Sequence, residues 1–337
     1  MNLALVVPVW NDAAPLRRLL HQAATYGCFD QIVVVDDGSD PAISAQDMIP
    51  AGQLAQGAVL IRGGETPRGA GHARNLGLDA VTTTHLLYFD ADDRLTPEIV
   101  DLIADLKGRD FDFCLFNHAD SRFSVHGRWT QMPEDEAIWR ETRVAVGALL
   151  TPEPRAAARL AEVANYPWNK IYRTDFLRDN HIRCTEILTH NDVELHWRSF
   201  LVALTRPGRI LTSDRLCAVH YVQTSGSRLS NRNGLERLAV FPALDDLATA
   251  ILDRKGTATG PLGDHPLALH FLRFTTGLFD WIAENLAPEH LPALQAASRQ
   301  FLWHHVAPAA GQRLAAAGEQ IVAERLQRQM GLDGEIP

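Results

Sequence analysis

The sequence has no excess of basic charge, few cysteines and no long apolar run. Its 337 residues include 32 lysines and arginines against 41 aspartates and glutamates, which gives a formal net charge of −9. Nucleic-acid-binding domains are normally basic, so this balance argues against nucleic acid as a partner. It leaves room for a local pocket that binds one phosphorylated small molecule.

The four cysteines, Cys28, Cys114, Cys184 and Cys217, are scattered and contain no C-x-x-C pair. This usage is typical of reduced thiols in a cytoplasmic protein. No apolar run approaches the ~18 residues that a membrane span needs, and the N-terminus, MNLALVVPVWND, lacks the basic start of a signal peptide. We therefore expect a cytoplasmic protein, with peripheral contact at the inner face of the membrane as the alternative.

Hydrophobic residues make up 46% of the chain, enough for a sizeable core in one large domain or two. Over the first third, apolar runs typical of buried strands alternate with segments of helical spacing. The predicted strands cover 3–9, 31–37, 58–64, 85–90 and 111–117, and the predicted helices cover 14–27, 71–81 and 96–108. This alternation predicts an α/β fold with a doubly wound, mostly parallel sheet, whose ligands bind at the carboxyl ends of the strands.

Further along, the pattern predicts a hairpin at His126-Gly127, a strand, helical turn and second strand over 168–183, and a helix over 191–204. From about residue 233 the sequence becomes rich in Ala and Leu with helical spacing. The helices predicted there cover 234–254, 265–286, 289–306 and 310–330. We therefore place a domain boundary between residues 232 and 233, with an α/β domain over 1–232 and an all-helical C-terminal region over 233–337.

Two predicted strands end in clustered carboxylates. Asp36 and Asp37 precede Gly38-Ser39, and Asp90-Ala91-Asp92 follows an apolar run. An acidic residue at a strand end can hydrogen-bond a ribose or a base edge, and neighbouring carboxylates offer the hard oxygen ligands that Mg²⁺ and Mn²⁺ prefer. Taken alone, either cluster is explained equally well by turn formation or helix capping.

Four segments in this order resemble the family 2 glycosyltransferases of the GT-A fold. They are LVVPVWND, VVVDDGSD, GAGHARNLGL before YFDADD, and WNKIYRTDFL with HNDVEL downstream. The resemblance covers residues 1–230, about two-thirds of the chain. It implies an enzyme that moves a sugar from a nucleotide-sugar donor, usually a UDP-sugar, to a hydroxyl group with inversion at the anomeric carbon. The acceptor would be a glycan, as in polysaccharide biosynthesis, a lipid-linked molecule or another hydroxyl compound.

The resemblance also assigns residues to the donor. Pro8 and Asp37 would flank the uracil, with Asp37 accepting a hydrogen bond from a base N–H. Arg68 would lie near the base or the diphosphate. Asp90, next to Ala91, would contact the ribose or a metal-bound water.

The resemblance further implies a metal site and a catalytic base. Asp92 would hold a divalent ion, Mn²⁺ or Mg²⁺, and His220 resembles a later ligand of the metal or the diphosphate, with a packed strand histidine as the alternative. Asp192 matches the acidic general base. Because Asn191 stands where many relatives have Glu, only Asp192 can be that base. Its place at a helix start predicts a lowered pKa, and helix capping is its alternative role.

Several alternatives stay open at this point. Trp168 could stack on a sugar or belong to the core, and Lys170 could meet a phosphate or be solvated. A haloacid dehalogenase-like phosphatase needs D-x-D-x-T, and here Arg94 stands in place of the Thr. A non-catalytic nucleotide-binding module is a second alternative, although Asp192 on a separate helix favours an enzyme. The C-terminal region could bind the acceptor, form a homodimer or contact a membrane surface.

Overall fold

The computed structural model describes residues 1–48, 50, 57–144, 149–222, 232–252, 262 and 264–332. The chain divides into two compact units, residues 1–226 and 227–337. Within the described residues of the N-terminal unit, nine strands form one mixed sheet. They are β1 Leu3–Val9, β2 Gln31–Asp36, β3 Ala58–Arg62, β4 His85–Tyr88, β5 Arg94–Leu95, β6 Phe113–Val125, β7 Arg128–Thr130, β8 Lys170–Arg173 and β9 Ile210–His220.

The spatial order of the strands is β3-β2-β1-β4-β8-β6-β9-β5, and β7 pairs with β6. Strands β3, β2, β1 and β4 are mutually parallel, as are β6 and β9. Strand β8 runs antiparallel between β4 and β6, and β5 runs antiparallel to β9. The predicted α/β architecture with a mostly parallel sheet is confirmed.

The helices of this unit are α1 Ala13–Tyr26, α2 Ala70–Ala80, α3 Glu98–Leu106, α4 Pro133–Thr142, α5 Pro154–Leu160, α6 Thr174–Asp179 and α7 Val193–Ala203. Strand β1 is buried along its whole length. Its odd-numbered side chains join the core that contains Leu16, Leu19 and Leu20 of α1, because successive side chains of a strand point to opposite faces.

Helix α2 packs against the other face of β1 at an unusually short distance. A Cβ atom on Gly77 would lie 2.3 Å from Cγ1 of Val6, so only glycine fits at this position of the helix. The close approach fixes α2 on the sheet, and Arg74 lies one turn before the contact. The sheet therefore determines where the Arg74 guanidinium is held.

The predicted hairpin is confirmed, since β6 and β7 pair around His126-Gly127 with positive φ angles of 50° and 75°. The second strand predicted within 168–183 is wrong. After α6 the chain runs irregularly to α7, and the N–H groups of Ile182 and Cys184 donate to the Leu177 carbonyl and the Asn75 side chain. These backbone groups are satisfied by a helix end and a side chain, so they form no strand ladder.

The described part of the C-terminal unit is helical, as predicted. Its helices are α8 Phe241–Ile251, α9 Ala268–Asn285, α10 Leu291–His305, α11 Ala310–Ala316 and α12 Gln320–Met330. The single helix predicted over 310–330 is wrong, because Gly318 adopts a φ of 87° and separates two helices. Residues 253–254 of another predicted helix lie outside the described residues.

The core of this unit includes a cluster of three aromatic rings. Phe279 stacks on Phe241 at 5.1 Å between ring centroids and meets Phe301 at 5.6 Å. No helix in the described part of the chain is both long and apolar enough to cross a bilayer.

Candidate active site

The chain leaves β4 through a turn of acidic residues before it enters β5. The Asp93 N–H donates to the Asp90 carbonyl at 3.2 Å, which closes the turn. Ala91 and Asp93 are buried, whereas Asp90 and Asp92 are half-buried. The turn therefore leaves the two predicted carboxylates accessible and directs the third, Asp93, into the protein.

Arg74 of α2 joins this turn to the start of α7. It is buried, and its guanidinium donates to Oδ1 of Asp90 at 2.5 Å and to Oδ1 of Asn191 at 2.7 Å. Burial alone would lower the pKa of Arg74, but the charge and hydrogen bond of Asp90, together with the charge of Asp192 and other nearby groups, raise it. The guanidinium is therefore a fixed positive charge between the two acidic motifs.

Sequence reasoning missed Arg74. It lies within the quoted segment GAGHARNLGL, but nothing local distinguishes it from Arg68, since their different burial is a tertiary property. The fold also gives Asn191 a defined role, because its side-chain oxygen accepts a hydrogen bond from Arg74. An amide in place of a second acid keeps this acceptor without adding negative charge.

Asp192 directly precedes α7, but its side chain makes no capping hydrogen bond. The lowered pKa expected from the helix start is wrong. Burial raises the pKa of Asp192, and the charge of Asp90 adds to that, while Arg74 and Lys170 oppose it. Removal from water thus outweighs the helix terminus, because desolvation disfavours the carboxylate. A carboxylate with a raised pKa is a better proton acceptor than an ordinary aspartate.

Lys170 and Trp168 are core residues. Lys170 is fully buried, and its ammonium group donates to Oδ1 of Asn169 at 2.5 Å and to the Tyr166 carbonyl at 3.2 Å. The alternative of a solvated lysine is therefore wrong. Trp168 is also fully buried and stacks on Tyr166, with 4.6 Å between ring centroids. Of the two roles predicted for Trp168, the structure shows the core aromatic.

A positive charge in this core is balanced by nearby acids. Burial lowers the pKa of Lys170 to about 7, and the charges of Asp192 and Asp135 oppose this effect. Asp135 of α4 is itself buried, which raises its pKa to about 7, and it accepts a hydrogen bond from the Ala164 N–H. When it is protonated, Lys170 therefore places a positive charge near Asp192 without reaching the surface.

His220 is held by the buried carboxylate of the acidic turn. Its Nδ1 lies 3.0 Å from Oδ1 of Asp93, and the Tyr221 N–H donates to the same oxygen at 2.8 Å. Burial raises the pKa of Asp93. Burial alone would lower the pKa of His220, but its hydrogen bond to Asp93 and the charge of that group raise it. Hydrogen bonds to Asp93 therefore connect the end of β9 to the turn that follows β4.

Among the described residues, no group of three His, Cys, Asp or Glu side chains is arranged to hold a metal ion. Mg²⁺ is commonly bound by one or two carboxylates together with substrate phosphates. The half-buried carboxylates of Asp90 and Asp92 fit that kind of donor set. A divalent ion at this turn would thus need oxygen ligands from a bound phosphate compound.

The residues predicted to meet the nucleotide lie at the ends of β1 and β2. Pro8 is buried in β1, and the Asp37 N–H donates to the Val9 carbonyl at 2.9 Å. The Asp37 carboxylate accepts the N–H groups of Arg68 at 3.1 Å and Gly69 at 2.7 Å. Burial raises the pKa of Asp37, and these two hydrogen bonds oppose the rise. Asp37 therefore fixes the loop that carries Arg68.

Glu186 is a second residue that sequence reasoning missed. It accepts hydrogen bonds from Arg68 at 2.5 Å and from Asn75 at 3.3 Å, and it lies 3.1 Å from Nδ1 of His72. The exposed Arg68 side chain is therefore paired with the loop that leads to Asp192. No local signal identifies Glu186, because its partners are more than a hundred residues away.

The family model described as Glycosyl transferase family 2 matches residues 4–173, half of the chain. No curated protein sequence gives a significant match. Among solved structures, residues 1–349 of S. aureus TarS in complex with UDP-GlcNAc give a TM-score of 0.68 at 19% identity, covering 98% of this chain and 91% of that one. The same region in complex with UDP gives 0.66 at 18% identity, covering 98% and 88%.

A longer S. aureus TarS chain gives a TM-score of 0.64 at 20% identity, with 97% of this chain and 55% of that chain covered. At these identities the likeness establishes the fold, and the predicted GT-A class is confirmed. The family match decides against the phosphatase and the non-catalytic module. By its sequence and its fold, the chain belongs to glycosyl transferase family 2 and is a glycosyltransferase.

Proposed function

We propose that this glycosyltransferase moves a sugar from a UDP-sugar to a hydroxyl of a glycan, a lipid-linked molecule or another acceptor, with inversion at the anomeric carbon. The observation that carries the proposal is the position of Arg74, whose guanidinium binds both Asp90 and Asn191. It holds the start of α7, where Asp192 lies, close to the acidic turn. A donor-binding group and a proton acceptor therefore share one site.

The nucleotide binds at the carboxyl ends of β1 and β2, as expected for an open α/β sheet. Pro8 and Asp37 contact the uracil, and Arg68 leaves Glu186 to approach the diphosphate. The TarS structures with UDP and UDP-GlcNAc support a UDP-sugar as the donor. Asp90 contacts the ribose, or a water bound to the metal.

Asp92 would hold Mg²⁺ or Mn²⁺ at this turn when the donor is bound. When bound, the ion supplies Lewis-acid neutralisation of the charge that develops on the departing UDP. Because the described side chains form no three-ligand site of their own, we expect metal affinity to depend on the nucleotide. His220 supports this turn through Asp93, and a direct bond from its ring to the metal or the diphosphate is the alternative.

Asp192 accepts the proton of the acceptor hydroxyl. The hydroxyl oxygen forms a bond to the anomeric carbon while the bond from that carbon to the UDP oxygen breaks. Attack on the face opposite UDP inverts the configuration. The raised pKa of Asp192 and its lack of a capping hydrogen bond support this role, and general-base catalysis typically contributes ~10²–10⁴ in rate.

The test is Asp192→Asn, with Glu194→Gln as the matched control. Both replace a carboxylate by an amide at the start of α7, and Glu194 pairs with Arg198 and Thr185. We expect turnover of the Asp192 variant to fall ~10²-fold or more with near-normal UDP binding, because Asn has nearly the same shape as Asp but cannot accept the proton. The control should stay within a few-fold of wild type. Near-normal turnover of Asp192→Asn would remove this residue from the mechanism.

A further inference from the structure

A group of one arginine and two aromatic rings lies beside the acidic turn. The Cζ atom of Arg94 is 4.1 Å from the ring centroid of Tyr221 and 5.4 Å from that of Trp129. The two rings meet edge to face at 5.8 Å. Trp129, on the β6–β7 hairpin, is 38% exposed. We call Arg94, Tyr221 and Trp129 the aromatic platform.

Arg94 forms no ion pair with any residue in the described part of the chain, and its buried Nε has no hydrogen-bond partner there. Nearby Arg122 is paired with Asp120, and Arg18 donates to the Asp92 carbonyl. Rings that stack on a guanidinium hold its plane and leave its N–H edge free to bind a phosphate or carboxylate in bidentate fashion. An unneutralised, pre-oriented guanidinium is a binding group for an anion.

The aromatic platform is continuous with the candidate active site. Arg94 follows Asp93 directly, and the Tyr221 N–H donates to Asp93. In the sheet order, Pro8 lies on β1 and Asp37 directly follows β2, whereas Arg94 lies on β5, Tyr221 directly follows β9 and Trp129 lies on β7, on the other side of β4. In the proposed function the acceptor attacks opposite the departing UDP, so a group that binds the acceptor is expected away from the strands that bind the nucleotide.

We propose that the aromatic platform is an acceptor subsite for a glycan that carries an anionic group, a phosphate or a carboxylate. Arg94 binds the anion, and Trp129 offers its exposed ring to the adjoining sugar. This inference rests on the proposed function for the direction of approach. The diphosphate of the donor is the other source of the same chemistry, and the experiment separates the two.

The experiment compares wild type, Arg94→Gln, Trp129→Ala and the control Arg128→Gln. Arg128 lies on the same hairpin and is exposed, and it carries the same charge without belonging to the platform. Binding is measured by calorimetry at one fixed ionic strength. The probes are phosphorylated maltotetraose, tetragalacturonate, neutral maltotetraose, and UDP with Mn²⁺.

We expect at least one of the two anionic oligosaccharides to bind wild type more tightly than neutral maltotetraose. Arg94→Gln should weaken that binding about tenfold, as expected for loss of a charge-assisted pair, and Trp129→Ala should weaken it less. Binding of UDP should not change, and Arg128→Gln should resemble wild type for every probe.

Three results would overturn the inference. They are equal binding of charged and neutral oligosaccharides, equal losses in Arg94→Gln and Arg128→Gln, or a loss of UDP binding in Arg94→Gln, which would assign Arg94 to the donor. If wild type fails to bind UDP at all, the proposed donor is wrong, and the oligosaccharide measurements still report on the platform.

Discussion

Replacing Lys170 by Met tests whether burial of this lysine near the proposed base disfavours its charged form. The pKa of Lys170 is lowered from 10.5 to about 7, and burial is the main cause. One pKa unit corresponds to about 1.36 kcal/mol, so folding disfavours the charged ammonium by about 5 kcal/mol relative to the unfolded chain. Asp192 and Asp135 limit that cost by their negative charge.

The sign of the pH dependence follows from proton binding. Below pH 7 both the folded and the unfolded chain carry the proton on Lys170, so its contribution does not change with pH. Between pH 7 and 10.5 only the unfolded chain carries it, and the free energy of unfolding rises by about 1.4 kcal/mol per pH unit. Met cannot titrate. The wild type should therefore gain about 3–4 kcal/mol over Lys170→Met between pH 7 and pH 10.

The assay is equilibrium unfolding in urea at several pH values, followed by tryptophan fluorescence. Urea is uncharged and does not screen the interactions under test. Lys107→Met is the matched control, because it makes the same replacement at an exposed lysine. A difference between wild type and Lys170→Met that stays constant from pH 7 to pH 10 would refute the reasoning.

Three further predictions concern the site. Asp37→Ala should raise KM for the donor more than it lowers kcat, since a contact to the base is similar in the ground and transition states; equal affinity of wild type for UDP and GDP would contradict this role. Asp92→Asn should keep the circular dichroism spectrum of the wild type but lose sugar-transfer activity and bind UDP more weakly in the presence of Mn²⁺. Full activity of the wild type in excess chelator would disprove the metal role. Arg74→Met should move the acid limb of the pH profile of kcat to higher pH, because a positive charge that lowers the pKa of Asp192 is lost. Arg74→Lys should move this limb less. An unchanged acid limb in Arg74→Met would refute an effect of Arg74 on the pKa of Asp192.

Features that depend on short stretches of chain were predictable. Continuous apolar runs predicted the central strands, and a Gly next to a residue that tolerates positive φ predicted the hairpin at His126-Gly127. The acidic turn after β4 was identified because its carboxylates lie within four residues of the sequence. The wrong predictions concern features that depend on residues distant in the sequence. The second strand predicted within 168–183 is absent, and the Ile182 N–H donates to the carbonyl of Leu177 instead of to a neighbouring strand.

The pKa of Asp192 also depends on one local property and on one tertiary property. Its place at the start of α7 is a local property, and a helix N-terminus alone favours the carboxylate. Its burial, and its distance from Asp90, depend on how α2 and α7 pack. The desolvation that results outweighs the helix terminus and raises the pKa.

The sequence by itself determined the α/β order of the N-terminal unit, the helical character of the C-terminal unit and the family, because these depend on periodicity and on motifs that are contiguous in the chain. Only the tertiary structure decided that Arg74 binds two motifs, that Lys170 is buried and that Arg94 stacks on two rings. Arg74 meets partners 16 and 117 positions away. Burial and charge pairing are set by such distant neighbours, and no local pattern specifies which of them will meet.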